Sequence, residues 1–236
     1  MVDFLLPPRC AACGERIHDH GHLCATCWPA LSPIAQPFCE GCGLPFEHAG
    51  EAEDGMLCGA CYANPPGFDW ARAAVLYDDL GKKLVLTLKH GGEGAAVPVL
   101  ARMMASAVAG RDAVDLILPV PLHPRRLLKR RFNQSLLLAE AVGRQAGLQV
   151  DRFSLVRRKA TPSQGPLGRK ARSANMAGAF AVTEKGKESL KGRHVLLIDD
   201  VMTTGATTSA CARVLKRAGA LSVGVLVFAR VAQPVG

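Results

Sequence analysis

Residues 195–207 read Val-Leu-Leu-Ile-Asp-Asp-Val-Met-Thr-Thr-Gly-Ala-Thr and hold the densest chemistry in the chain. Val195–Ile198 is an apolar run of the kind found in a strand buried on both faces. Two carboxylates, Asp199 and Asp200, stand at its exit. Thr203, Thr204, Gly205, Ala206 and Thr207 follow, where an apolar helical pattern begins. A helix N-terminus of this composition is an anion site. Its first N–H groups lack partners, its hydroxyls can donate, and its dipole favours negative charge. Ionised Asp199 and Asp200 would repel a bare phosphate. They suit a ribose diol, whose two hydroxyls donate to them, or a bound metal ion. The expected ligand carries both a sugar diol and a phosphate.

Two basic stretches offer a third anchor. Five of the seven residues from Arg125 to Arg131 are Lys or Arg, directly after the apolar run Leu116–Val120. Arg125, Arg126, Arg130 and Arg131 could clamp a pyrophosphate through charge-assisted hydrogen bonds. A solvated charge run is the alternative. Residues 157–178 hold Pro, Gly, Ser and six Lys/Arg, Arg158 and Lys159 among them, with no apolar period. A mobile loop is expected there.

Eight of the nine cysteines fall in the first 61 residues, as four Cys-x-x-Cys pairs. Cys10/Cys13 and Cys24/Cys27 form one unit; Cys39/Cys42 and Cys58/Cys61 repeat it, each opening on Cys-x-x-Cys-Gly. The intervening gaps are 10 and 15 residues, and the longer matches a zinc-ribbon spacing. Two closed four-cysteine zinc sites with a structural role are expected, taken in sequence order. Spacing alone leaves a crossed pairing, first knuckle with third, open. His18, His20 and His22 are expected at the surface, since four thiolates already fill the first site.

The elements that must position these groups are legible as well. Residues 1–66 are expected to form the double zinc ribbon and residues 67–236 an α/β domain, with Asn64-Pro-Pro-Gly67 as the linker. Strands are expected at Ala73–Tyr77, Leu116–Val120, Phe180–Val182, His194–Ile198 and Val223–Phe228. Helices are expected at Lys82–Lys89, Val97–Val108 and Thr204–Gly219, and through Phe132, Leu136, Ala139 and Gly143. Such alternation predicts a mainly parallel sheet flanked by helices, with its ligand beyond the carboxyl ends of the strands. Cys211 falls among apolar helix positions and is expected in the core. Lys89-His-Gly-Gly is a helix stop or a substrate contact.

Charge divides along the same line. Residues 1–66 carry two Lys/Arg against eight Asp/Glu, while residues 67–236 carry 27 against 12. Two four-thiolate zinc sites would take the first part to about −10. It is therefore unsuited to phosphate contacts and is expected to act as a scaffold or in protein docking, including against its own basic partner domain. The basic part should attract a polyanion, either a small polyphosphate or a nucleic acid. No apolar run is long enough to insert in a membrane, and no leader peptide is evident, so a cytoplasmic location is expected.

The run Val195–Thr207 resembles the 5-phosphoribosyl-1-pyrophosphate (PRPP) signature of type I phosphoribosyltransferases. That resemblance implies that Asp199 and Asp200 hold the ribose hydroxyls and Thr203–Thr207 the 5′-phosphate. The cysteine repeat, the Pro119-Val-Pro…Arg…Phe132-Asn-Gln segment, and Thr161-Pro-Ser-Gln with Arg169, Arg172, Asn175 and Gly178-Ala-Phe together resemble the ComF family. The likeness spans nearly the whole chain. It implies a double zinc ribbon followed by a type I phosphoribosyltransferase domain, with a pyrophosphate loop at 125–131 and a loop near Arg158 and Lys159 that closes over substrate. It further implies transfer of phosphoribosyl from magnesium-bound PRPP to an acceptor the sequence does not name, in a setting of DNA uptake or competence. A non-catalytic PRPP sensor, or an accessory that binds single-stranded DNA or a DNA-uptake partner, is the rival expectation. Hypoxanthine-guanine phosphoribosyltransferases carry an Asp where this chain has Thr203, so purine salvage by that route is not expected.

Overall fold

The computed structural model describes residues 7–46, 55–91, 96–110, 114–159, 176 and 178–232. Four strands form one all-parallel sheet: β1 (Trp70–Leu76), β2 (Leu116–Pro119), β5 (His194–Met202) and β6 (Ser222–Arg230), in the order β1-β6-β5-β2. The two most apolar runs occupy the centre, because a parallel strand with helices on both faces has no face for water. Helix α1 (Gly59–Ala63) belongs to the cysteine module, whereas α2 (Asp79–Gly91), α3 (Ala96–Ala107) and α5 (Gln134–Ala146) share one core with the sheet through Leu84, Leu88, Leu100 and Leu138. On the other face, α7 (Ala206–Arg217) packs Cys211 and Leu215 against the sheet. Among the described residues no helix is long and apolar enough to cross a membrane.

A small antiparallel pair, β3 (Leu155–Arg157) with β4 (Phe180–Val182), stands apart from the main sheet. It joins the α7 core through Leu155 and Phe180. Neither β3 nor α6 (Glu184–Leu190) is expected from pattern. The first has a single buried residue, Leu155, and the second buries only Gly186 and Leu190, so neither carries an apolar period. Local chemistry sets α6 instead: Thr183 Oγ1 accepts from Gly186 N at 3.1 Å as its N-cap.

The basic run also differs from expectation. It is a short helix, α4 (Pro124–Arg130), not an open loop. Pro124 at the first helical position and His123 Nδ1, which accepts from Arg125 N at 3.3 Å, start it. Arg131 ends it in the left-handed conformation, φ 66°.

The cysteine module covers the open edge of the sheet. Leu76 N donates to Ser32 O at 2.8 Å, and Ile34 N to Ala74 O at 3.0 Å, so the segment between the two units runs antiparallel to β1. That satisfies backbone groups an edge strand would otherwise expose. The first unit enters the main core, with Cys10, Ala11, Ala12, Cys24 and Cys27 beside Leu88 and Leu100. The second knuckle lies on β1 so closely that a Cβ on Gly43, at φ +65°, would stand 2.6 Å from the Ala71 carbonyl oxygen. Gly43→Ala is expected to cost about 1–3 kcal/mol through both strain and overlap. An unchanged urea midpoint would contradict this close approach.

Candidate functional site

The expected acid pair stands at the carboxyl end of β5, inside the strand rather than after it. Both residues are half-buried. Asp199 Oδ1 accepts from Ser135 Oγ and from Asp200 N, each at 2.9 Å. Asp200 Oδ1 accepts from Val201 N at 2.8 Å, and its Oδ2 lies 2.8 Å from Lys89 Nζ. The pair is thus held from three elements: α2 brings Lys89, α5 brings Ser135, and the strand supplies the carboxylates. Burial first, then the neighbouring Asp200 charge, pushes the Asp199 carboxyl up to about 7, against the bonds from Ser135 and Asp200 N and the pull of Lys89.

The threonine loop opens off the same strand end. A small cleft is lined by Asp199, Val201, Met202 and the whole run Thr203–Thr208. Helix α7 starts at Ala206, two residues later than the apolar pattern predicts, because Gly205 takes a left-handed conformation (φ 74°) as its N-cap. A Cβ there would only touch the Phe68 ring, at 3.4 Å, so the left-handed φ is what selects glycine. Among the described residues no side chain caps the helix. Its first N–H groups therefore face the cleft without intrahelical partners, while Thr203 and Thr204 stay outside the helix. Thr208 Oγ1 is turned inward, donating to Gly205 O at 3.1 Å.

The basic residues divide. Arg126 is half-buried and lies within electrostatic reach of Arg157. Arg130 Nη1 donates to Gln134 Oε1 at 3.3 Å, while Arg125 and Arg131 are exposed. Arg158 and Lys159 are exposed at the end of β3, both backbone N–H groups directed to Ala179 O. Thr161-Pro-Ser-Gln164, Arg169, Arg172 and Asn175 lie outside the described residues.

The cysteines gather as two groups, Cys10/Cys13/Cys24/Cys27 and Cys39/Cys42/Cys58/Cys61, the sulfurs of each within 4.8 Å of one another. Sequence order therefore holds, and the crossed pairing does not occur. Cys13 Sγ and Cys24 Sγ are 3.6 Å apart, and Cys42 Sγ and Cys58 Sγ 3.7 Å. These are too far for a disulfide and close to the sulfur–sulfur edge of about 3.8 Å that a tetrahedral zinc site with 2.3 Å bonds requires. Backbone N–H groups of Cys42 and Cys58 point to Cys39 Sγ at 3.5 and 3.2 Å, as for a thiolate. Burial pushes the Cys27 and Cys61 thiols up to about 12, and a bound dication offsets that cost so that four thiolates can share one site. Both groups are zinc-binding sites.

Comparison with known proteins agrees with this layout. The double zinc ribbon domain family matches residues 1–62, and the phosphoribosyl transferase domain family residues 133–235. The DNA utilization protein YhgH of Shigella flexneri is 32% identical over 219 residues, 89% of this chain and 91% of that one. Competence protein F of Haemophilus influenzae is 28% identical over 231 residues, 94% and 96% of the two chains. The chain belongs to the ComF family. A solved glutamine PRPP amidotransferase from B. subtilis is 14% identical with a TM-score of 0.41, over 61% of this chain and 30% of that one.

In this ComF-family chain, three residues at the site escape sequence reasoning, and a fourth, Lys89, is read there as a helix stop or a substrate contact. The ion pair of Lys89 with Asp200 links α2 to the site. Ser135 carries no signal of its own beyond following Phe132-Asn-Gln. Arg157, stacked over the Phe180 ring at 5.2 Å and electrostatically linked to Asp199, sits on an unexpected strand. Arg230 belongs to a strand end more than 20 residues from the loop it contacts. His22 is exposed and lies 3.2 Å from Arg102 Nη1, outside the first thiolate group.

Proposed function

We propose that this chain binds magnesium-PRPP at the β5–α7 site and transfers its phosphoribosyl group to an acceptor, releasing pyrophosphate. The observation that carries this is the union, at one strand end, of two carboxylates and an uncapped helix N-terminus lined with threonine hydroxyls. Asp199 and Asp200 accept from the ribose hydroxyls. Thr203, Thr204 and Thr207, with the N–H groups of Gly205 and Ala206, hold the 5′-phosphate. Lys89 is positioned to offset the charge of Asp200. Arg126 and Arg157, with Arg125, Arg130, Arg131, Arg158 and Lys159 around them, supply cations for the pyrophosphate.

In the reaction the bond from C1 to the pyrophosphate oxygen breaks and a bond from C1 to the acceptor forms. The acceptor loses a proton. Magnesium, when bound, offsets pyrophosphate charge as it departs. The protein acts by holding the reactants in line and stabilising charge, since no side chain need bond to C1. Thr203 cannot act as the base that takes this proton, which passes instead to water or to the departing pyrophosphate; an acceptor that ionises readily suits such a site. The relatives are named for competence and DNA utilization, and we extend that setting to this chain.

Isothermal titration with magnesium-PRPP tests the reading; absence of binding heat would sink it. A pH series adds a signature. Asp199 must be ionised to accept fully, and its carboxyl is held up near 7. Affinity is therefore expected to fall as pH drops below about 7, by up to about tenfold per unit. Binding near pH 6 should release a proton, visible as heat that varies with the buffer. Stability of the free protein runs the other way. The fold retains on Asp199 a proton that the unfolded chain gives up near 3.8, so stability declines as pH rises from about 4 towards 7.

A further inference from the structure

The second thiolate group and the threonine loop meet at one side chain. Arg230 ends β6 directly opposite Met202 in the parallel ladder and is 3% exposed. Its guanidinium offers five N–H donors in a rigid fork. On one side, Nε donates to Cys42 O at 3.4 Å, and Nη2 reaches Cys42 Sγ at 3.8 Å. On the other, Nη1 donates to Met202 O at 3.2 Å, to Thr203 O, and to Val231 O at 2.9 Å. Cys42 is a ligand of the second zinc site. Met202 ends β5, and Thr203 opens the turn that leads into Gly205 and α7.

The surroundings make this link stiff. Arg72, also 3% exposed, holds the same knuckle: it pairs with Glu40, donates to Glu40 O at 3.1 Å and stacks over the Phe38 ring at 4.3 Å. The second zinc site and the loop also line one common cleft, through Cys42, Cys58 and Cys61 on one wall and Thr204 and Gly205 on the other. Among the described residues no such hydrogen-bonded link joins the first zinc site to the loop; it meets the domain through apolar contacts and through His22 against Arg102 of α3.

We propose that Arg230 is a positioning residue that couples zinc at the second cysteine site to anion binding at the Thr203–Thr207 loop. Zinc sets the shape of the Cys39–Cys42 knuckle and with it the place of Cys42 O and Sγ. Those two acceptors orient the fork, and the fork holds the carbonyls of Met202 and Thr203. Without it the turn loses buried donors, which frees the loop from the conformation that presents its N–H groups. Coupling of this kind is reciprocal in affinity, so a ligand on the loop must tighten zinc at the second site and not at the first, and slower release of that zinc is its expected kinetic sign. The first site thereby serves the fold alone, and the second serves fold and ligand together. The proposal rests on the ligand reading above.

The test follows zinc release to a colorimetric chelator, with excess magnesium, in the presence and absence of saturating PRPP. In the wild type, release of one zinc of the two is expected to slow by about fivefold or more, and the other to stay unchanged. Arg230→Met is expected to abolish that protection and weaken magnesium-PRPP binding about tenfold; Arg230→Lys, which keeps the charge without the fork, should not restore either. Equal effects of the ligand on both zincs, or none on either, would overturn the coupling. So would protection that survives in a folded Arg230→Met. Should that variant fail to fold, the wild-type measurement decides. A wild type that binds no magnesium-PRPP sinks the ligand reading instead. The strut is then read from zinc alone: Arg230→Met should speed the release of one zinc, and an unchanged release profile refutes it.

Discussion

Replacing Asp199 and Asp200 together by asparagine is expected to weaken magnesium-PRPP binding by about 10²–10⁴-fold. Each carboxylate that accepts a hydroxyl proton contributes about 1.5–3 kcal/mol as a charged acceptor, and both are lost. The effect can be separated from unfolding. The two acids repel each other, and burial already opposes ionisation of Asp199. Asn at that position removes a strained charge and can still accept from Ser135 Oγ. Lys89 loses its ion-pair partner at Asp200, but its side chain keeps 24% exposure and can turn to water. Thermal unfolding of the free double variant should therefore hold or rise while titration heat disappears. Binding within threefold of wild type would remove the acid pair from the ligand site.

Stripping zinc is expected to have the largest effect on stability. Structural four-cysteine zinc sites contribute about 10–16 kcal/mol each as apparent binding energy, comparable with or above the whole stability of a typical domain. Here the sites do not hold a detached module. The first brings Cys10, Cys24 and Cys27 into the main core, and the chain between the two units covers the edge of β1. Elemental analysis should return two zincs per chain. Cys39→Ser is expected to leave one and to lower the unfolding temperature by more than 10 °C, since Cys39 is fully buried and receives two backbone N–H groups. A single zinc in the wild type, or unfolding unaltered by zinc removal, would overturn this account.

The parts legible in advance share a physical trait: their signals are local. A strand buried on both faces must be apolar throughout, so β5 and β6 stand out in any reading. Zinc ligands must come in short knuckles, so the cysteine repeat announces two sites. Elements without a local period were missed. Strand β3 buries one residue, and α6 is set by its Thr183 cap rather than by an apolar stripe. The basic run at 125–131 was open to reading as a loop because its charges hide the proline and histidine that start a helix.

Residue types and spacing were enough to determine a parallel α/β domain behind two four-cysteine sites, and an acid pair beside a threonine-lined helix start. Each of those is a property of neighbours along the chain. Three things were decided only by tertiary structure. Cysteine pairing was one, because equal knuckles are interchangeable until space separates them. The company of the acid pair was another: Lys89, Ser135 and Arg157 come from three elements distant in sequence, and a lone Lys, Ser or Arg has no periodicity to betray it. The third was the link from Cys42 to Met202 and Thr203 through Arg230. A buried arginine that satisfies carbonyls from two directions is chosen by the cavity it fills, and that cavity exists only once the ribbon lies against the sheet.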